Sequence, residues 1–159
     1  MDLLSYPDNA RVWIYAADLK IPEDRVEAIY KRITDFAKEW SSHQQALKAT
    51  GGLLHNYFIV FVVDDGYNKP GGCSIDSSVR FVKSLGEELE LDFFNRNVFY
   101  YLDNDTVKSI SRNDLQGAME EGRLNENTLF FDTLVQTKSD FQKHWLKKLG
   151  ESWQMKLIH

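Results

Sequence analysis

The residues best suited to chemistry lie together in Gly66-Tyr67-Asn68-Lys69-Pro70-Gly71-Gly72-Cys73-Ser74, between an apolar run and a helical pattern. Two glycines leading into a helix leave main-chain N–H groups facing outward at its positive end, which suits an anion. Gly71, Gly72 and Ser74 are the candidate donors to that anion, with Lys69 as a candidate counter-charge inside the loop. The competing role for the two glycines is geometric, a tight left-handed approach to the helix. The interval from Gly66 to Gly71 matches a phosphate-binding P-loop, but the match fails where the chemistry lies. Gly72 stands in place of the phosphate-reaching lysine and Cys73 in place of the magnesium-binding hydroxyl. A P-loop ATPase is therefore not expected.

Cys73 falls at the same helix start, where the dipole favours a thiolate over a thiol. A nucleophilic cysteine also needs a base, and His43 and His55 are candidates by elimination. In such an enzyme His43 takes the proton, Ser74 and the loop amides hold an oxyanion, and Asp76 orients. The plainer role for Cys73 is a small, buried apolar side chain. Asp64, Asp65 and Asp76 surround the loop and suggest Mg²⁺ or acid–base chemistry. Their ordinary uses are turn formation at Asp65-Gly66 and a helix N-cap at Asp76. His43, His55, His144 and His159 lack metal-ligand spacing, and the single cysteine rules out a multi-cysteine metal site and an internal disulfide. No metal and no cofactor is expected.

These residues must be held by regular elements. Arg11–Ala16 is β-branched and aromatic, a first strand. Pro22, Glu23 and Asp24 open a helix whose Val26, Ile29, Tyr30, Ile33, Phe36, Ala37 and Trp40 share one stripe, and Ser41-Ser42-His43 ends it. Gln45–Thr50 and Leu54–Asp64 read as a hairpin turning at Gly51-Gly52, its second arm buried on both faces. A second helix opens near Ser74 or Asp76 with Ile75, Val79, Val82, Leu85 and Leu89 inward, and Asn97–Leu102 is another strand. The order strand–helix–strand–strand–helix–strand predicts an α+β chain, a ferredoxin-like split βαβ with both helices on one face of the sheet.

The remainder reads as a C-terminal αβα extension. Val107–Ile110 forms a short strand, Ser111 caps a short helix closed by Gly122, and Leu129–Val135 is a strand. Ser139 with Gln142 caps a last helix ending at Gly150. Trp40 and Trp145 lie on apolar stripes, as core residues do. With no Pro/Ser-rich linker and no repeat, residues 1–159 read as a single domain, a size that builds a core without staples.

Composition narrows the function classes. Nineteen basic against 24 acidic residues give a net charge of −5, which argues against nucleic acid as a partner. The densest basic group, Lys143, Lys147 and Lys148, fits a helix C-terminus. The longest apolar run, Tyr57–Val63, is far short of a membrane helix, and no signal peptide is visible at Met1–Ser5. A free thiol without an export signal reads as cytoplasmic.

At Ser41-Ser42-His43, Gly72-Cys73-Ser74-Ile75-Asp76-Ser77-Ser78-Val79, Phe93-Phe94-Asn95-Arg96 and Ser152-Trp153 the chain resembles a family of uncharacterised bacterial proteins of about this length, often labelled "ABC transporter ATPase". The resemblance spans the whole chain and implies no activity and no catalytic residues. The label lacks support in these residues: there is no Walker lysine and no Leu-Ser-Gly-Gly-Gln-like segment. Two classes of function follow. One is a binding domain for a small anion or a protein partner, with self-association as a homodimer through an edge strand or the segment around Trp153. The other is a small enzyme using Cys73.

Overall fold

The computed structural model describes residues 1–158. Its first half runs β1 (Arg11–Ala16), α1 (Glu23–Glu39), the two-residue strands β2 (Ser41–Ser42) and β3 (Gln45–Ala46), β4 (Lys48–Leu54), β5 (Phe58–Asp64) and α2 (Gly72–Leu89). The second half runs β6 (Val98–Asp103), β7 (Thr106–Ser111), α3 (Leu115–Glu120), β8 (Leu129–Phe131), α4 (Lys138–His144) and β9 (Leu146–Lys148). The architecture is mixed, with helices set against antiparallel sheets of order β1-β5-β4 and β7-β6-β8-β9 and a small β2-β3 ribbon.

β5 is the centre. All seven of its residues are buried, because its two faces serve two separate layers. Ile59, Phe61 and Val63 pack under α1 and α2, through Ile29, Ile33 and Ala37 of the first helix and Val82 and Leu85 of the second. Phe58, Val60 and Val62 face the second sheet, against Tyr100 and Phe131. A seven-residue apolar run needs this two-sided cover, and burying each large side chain contributes about 1.5–3 kcal/mol.

The hairpin does not turn at Gly51-Gly52. Both glycines lie inside β4, paired with Phe61 and Val60, and β4 begins at Lys48 rather than Gln45. A Cβ on Gly51 would stand 2.8 Å from Phe61 Cδ1 and 3.0 Å from Ile33 Cγ2, so Gly51 is there for close packing of α1. The chain turns instead at His55 and Asn56, whose φ values of 54° and 59° make the left-handed pair of a tight hairpin.

His55 packs edge-on to Phe58 and at a tilt to Phe131 and Trp145, and burial pushes its imidazole below the ordinary histidine range. The folded chain therefore keeps His55 neutral where the unfolded chain is already protonated. Stability is lost as pH falls below the unfolded value and through the folded one. His55→Asn, which keeps a residue tolerant of positive φ, is expected to flatten the fall in urea stability between about pH 7.5 and 5.5. An unchanged slope would assign that fall to other groups.

β6 does not lie beside β1, where a complete ferredoxin-like sheet would place it. It pairs with β7 along its length and with β8 at Tyr101–Phe130. Tyr100 crosses the layer gap instead, donating its hydroxyl hydrogen to the Ala17 carbonyl at 2.6 Å. The C-terminal elements also differ from the sequence reading. β8 stops at Phe131 because Asp132 turns the chain, accepting the Leu134 N–H at 2.9 Å and the Lys147 ammonium at 2.8 Å. Thr137, not Ser139, caps α4, accepting the Asp140 N–H at 3.1 Å. α4 ends at His144 rather than Gly150, and Lys147 and Lys148 sit in β9, paired with β8. Among the described residues no helix is long and apolar enough to cross a membrane.

Candidate functional site

α1 ends at Glu39, and within six residues the β2–β3 ribbon doubles back over the start of α2. The ribbon can be this short because His43 and Gln44 adopt φ of 51° and 66°. Four hydrogen bonds then fix the junction. Trp40 Nε1–H donates to the Ser74 carbonyl at 2.8 Å, the Gly71 N–H donates to Ser42 Oγ at 3.2 Å, and Asn68 donates to the carbonyls of Ser42 and Gln45, each at 3.1 Å. The loop ahead of α2 is thereby tied to the end of α1.

Between these elements lies a cleft of about 630 Å³. Phe36, Glu39 and Trp40 form one wall, Ser42 and His43 the roof, and Gly71–Ser74 the other wall. Of the residues singled out in the sequence, Cys73, His43, Gly71, Gly72 and Ser74 meet here. Lys69 and Asp76 do not. Both are exposed, and neither lines the cleft.

α2 begins at Gly72, earlier than Ser74 or Asp76, so Asp76 lies within the helix and is not its cap. The main-chain N–H groups of Gly72, Cys73 and Ser74 have no acceptor among the described residues, since the first bond back is Ile75 N–H to the Gly71 carbonyl at 3.0 Å. No acidic residue occupies the first turn of this 18-residue helix. Ser74 contributes its amide only: its hydroxyl hydrogen goes to the Gly71 carbonyl at 2.7 Å.

Cys73 is exposed, which removes its reading as a buried apolar residue. His43 is exposed on the roof, its Nε2 3.6 Å from where a Cβ on Gly71 would stand. The two share the cleft, and no hydrogen bond joins them. His55, the other candidate base, packs at the opposite end of β5 against Phe58. Asp64 is buried and occupied, accepting the Gly66 N–H at 3.0 Å with Lys48 at 3.8 Å. Among the described residues no group of three or more His, Cys, Asp or Glu is placed to hold a metal ion.

Sequence reasoning missed Phe36, Glu39 and Ser42 as cleft residues, and took Trp40 for core alone. Phe36 and Trp40 line the cleft and also belong to the core stripe. Ser42 carried no signal beyond its place between the end of one helix and the first arm of the expected hairpin.

No protein-family model, curated protein or solved structure matches the chain. The cleft is read from its own geometry.

Proposed function

We propose that the chain is a non-enzymatic binding module that holds a small molecule by an anionic group at the start of α2. One observation carries this: three unpaired amides at the positive end of a long helix open onto a cleft of about 630 Å³. Glu39 on the facing wall refines the ligand. A bare anion meets that carboxylate, whereas an anion that also carries an ammonium group satisfies both walls.

The test is thermal unfolding with inorganic phosphate and with phosphoethanolamine. At a hundredfold excess over Kd a ligand stabilises by about 2.7 kcal/mol, a Tm rise of roughly 5–10 °C for a chain of this size. Phosphoethanolamine is expected to give the larger rise. Gly72→Glu is expected to abolish the rise from both ligands without loss of fold, because nothing lies within 4 Å of a Cβ there and a carboxylate suits a helix N-terminus. No rise with either compound would remove the small-anion reading and leave a protein partner.

The alternative, a cysteine-dependent enzyme, draws on the exposed Cys73 and His43 sharing one cleft. It requires turnover that Cys73→Ser abolishes. The ferredoxin-like relation is proposed for the first three strands alone: the order β1-β5-β4 corresponds to strands one, three and two of that fold, with both long helices on one face. Kinship with the uncharacterised bacterial family, and residence in a reducing cytoplasm suited to a free thiol, are proposals on the same footing.

A further inference from the structure

A second cavity, of about 720 Å³, lies at the open edge of β1 and shares no wall residue with the cleft. It occupies the place that a fourth strand beside β1 would fill. Val12 gives its N–H to the Gln136 carbonyl at 3.0 Å, so its main chain points away from β5. Alternation along a strand turns the N–H and C=O groups of Ile14 and Ala16 the same way. There they line the cavity, and among the described residues no strand pairs with them and no main-chain bond is made to them. Main-chain polar groups in such a place call for partners.

A second, independent observation comes from the far side. Gln154 is 2% exposed, lines the same cavity, and has no hydrogen-bond partner for its carboxamide among the described residues. Its amide is not sealed in, since the one fully enclosed side-chain nitrogen or oxygen without a partner there is Trp145 Nε1. A carboxamide almost wholly removed from water and unpaired is costly unless something supplies its hydrogen bonds. The rest of the wall is mainly aromatic, with Phe94 and Trp153 partly exposed at the mouth, and the only charged side chain on it is Arg96.

We propose that this cavity binds a flat, largely apolar molecule bearing a carboxamide or lactam edge. Such an edge sets a donor beside an acceptor, the complement of both the Gln154 amide and the Ile14–Ala16 main chain. The flat body stacks on the aromatic walls. The volume is that of an ordinary small-molecule site, where a few convergent polar groups fix orientation within an apolar enclosure. The wall offers a cation no carboxylate and sets Arg96 against it.

The test uses the full chain, with 2-naphthamide and methyl 2-naphthoate, the ester that lacks the amide hydrogens, compared by saturation-transfer NMR and thermal shift. The amide is expected to bind at least about tenfold more tightly than the ester. Gln154→Leu is expected to bring the two within about threefold and to raise the Tm of the unliganded protein by roughly 2–4 °C, because an unpaired polar group is removed. Trp153→Ala, at the exposed mouth, is expected to weaken both compounds and guards against a Gln154 variant that fails to fold. Equal affinity of amide and ester, no binding of either, or a lower Tm for Gln154→Leu would overturn the proposal. Binding of the extended peptide acetyl-Val-Thr-Val-Thr-amide in preference to 2-naphthamide would also overturn it, in favour of strand addition to β1. Gly72→Glu, which tests the cleft, leaves these results unchanged.

Discussion

Trp40→Ala is expected to cost about 3–5 kcal/mol, the range for truncating a fully packed aromatic side chain. Trp40 is 3% exposed and sits among Trp13, Phe36 and Phe61 at ring-centre distances of 5.8, 5.4 and 5.5 Å. Its main-chain carbonyl accepts the Leu47 N–H at 2.9 Å, and its indole N–H reaches the first turn of α2. Removing the side chain opens a void where α1, the ribbon and α2 meet. Ligand response at the cleft should fall with stability.

Trp40→Phe separates the two contributions. It keeps most of the packing and loses the bond to Ser74, whose carbonyl still accepts the Ser77 hydroxyl at 2.8 Å. An acceptor that is not orphaned limits that loss to about 1 kcal/mol, plus a smaller packing penalty. Urea titration reads both variants. A loss below about 1.5 kcal/mol for Trp40→Ala would mean that the aromatic cluster does not hold the two helices together.

The second large effect is expected at Gly86, near the other end of α2. After Leu89 the chain reverses through Glu90 at φ 57°, and both Glu90 and Leu91 give their N–H groups back to the Gly86 carbonyl. This reversal lays the Leu91 carbonyl over Gly86, only 2.6 Å from where a Cβ would stand. The obstacle is main chain, held by the capping bonds themselves, so it cannot yield as a side chain would. Gly86→Ala gains up to about 1 kcal/mol of helix propensity and loses about 3 kcal/mol to overpacking against main chain, for a net cost of roughly 2 kcal/mol. Gly72→Ala, the same change in the same helix with nothing within 4 Å, should be neutral or stabilising. Denaturation midpoints that move in the same direction would refute this account of α2.

The elements legible in the sequence were those whose pattern matched their environment. α1 shows its stripe because Ile29, Ile33 and Ala37 face the core and charged residues face out, and β5 shows as an unbroken apolar run because both its faces are covered. α2 was legible as a helix, and of its expected stripe Val82 and Leu85 are buried with Val79 and Leu89 packed against the same core, but the buried face also runs through serines. Ser74 and Ser78 are buried while Ile75, Val79 and Leu89 are only half-buried. The two serines can be inside because their hydroxyls bond back to the Gly71 and Ile75 carbonyls at 2.7 and 2.6 Å. Ser78 thereby becomes an acceptor, and Tyr15 donates to it at 3.0 Å. No hydrophobicity pattern reveals a polar residue satisfied by its own helix.

Gly51-Gly52 misled for a related reason. Glycine marks a turn or a close approach with equal weight, and which applies depends on Phe61 and Ile33, distant in the sequence. The candidate site was legible in part. The loop around Cys73 forms one wall of the cleft, while its roof depends on a ribbon of two-residue strands whose turn contains no glycine at all. The C-terminal strand and helix limits were set by Asp132 and Thr137, single side chains whose hydrogen bonds outweigh the apolar runs around them.

The order in which the chain is made bears on β5. Phe58–Val63 is the segment most able to aggregate if left uncovered, being apolar, uncharged and rich in β-branched and aromatic residues. Both strands that flank it, and the first of the two helices that lie across one of its faces, precede it in the chain. As it leaves the ribosome, both its edges and the α1 side of one face already have their partners made. The face toward Tyr100 and Phe131, and the cover that Val82 and Leu85 of α2 give the other face, wait for later synthesis. The chain thus gives its stickiest strand two ready edges at the moment it is made, which leaves no bare edge to template pairing with another chain.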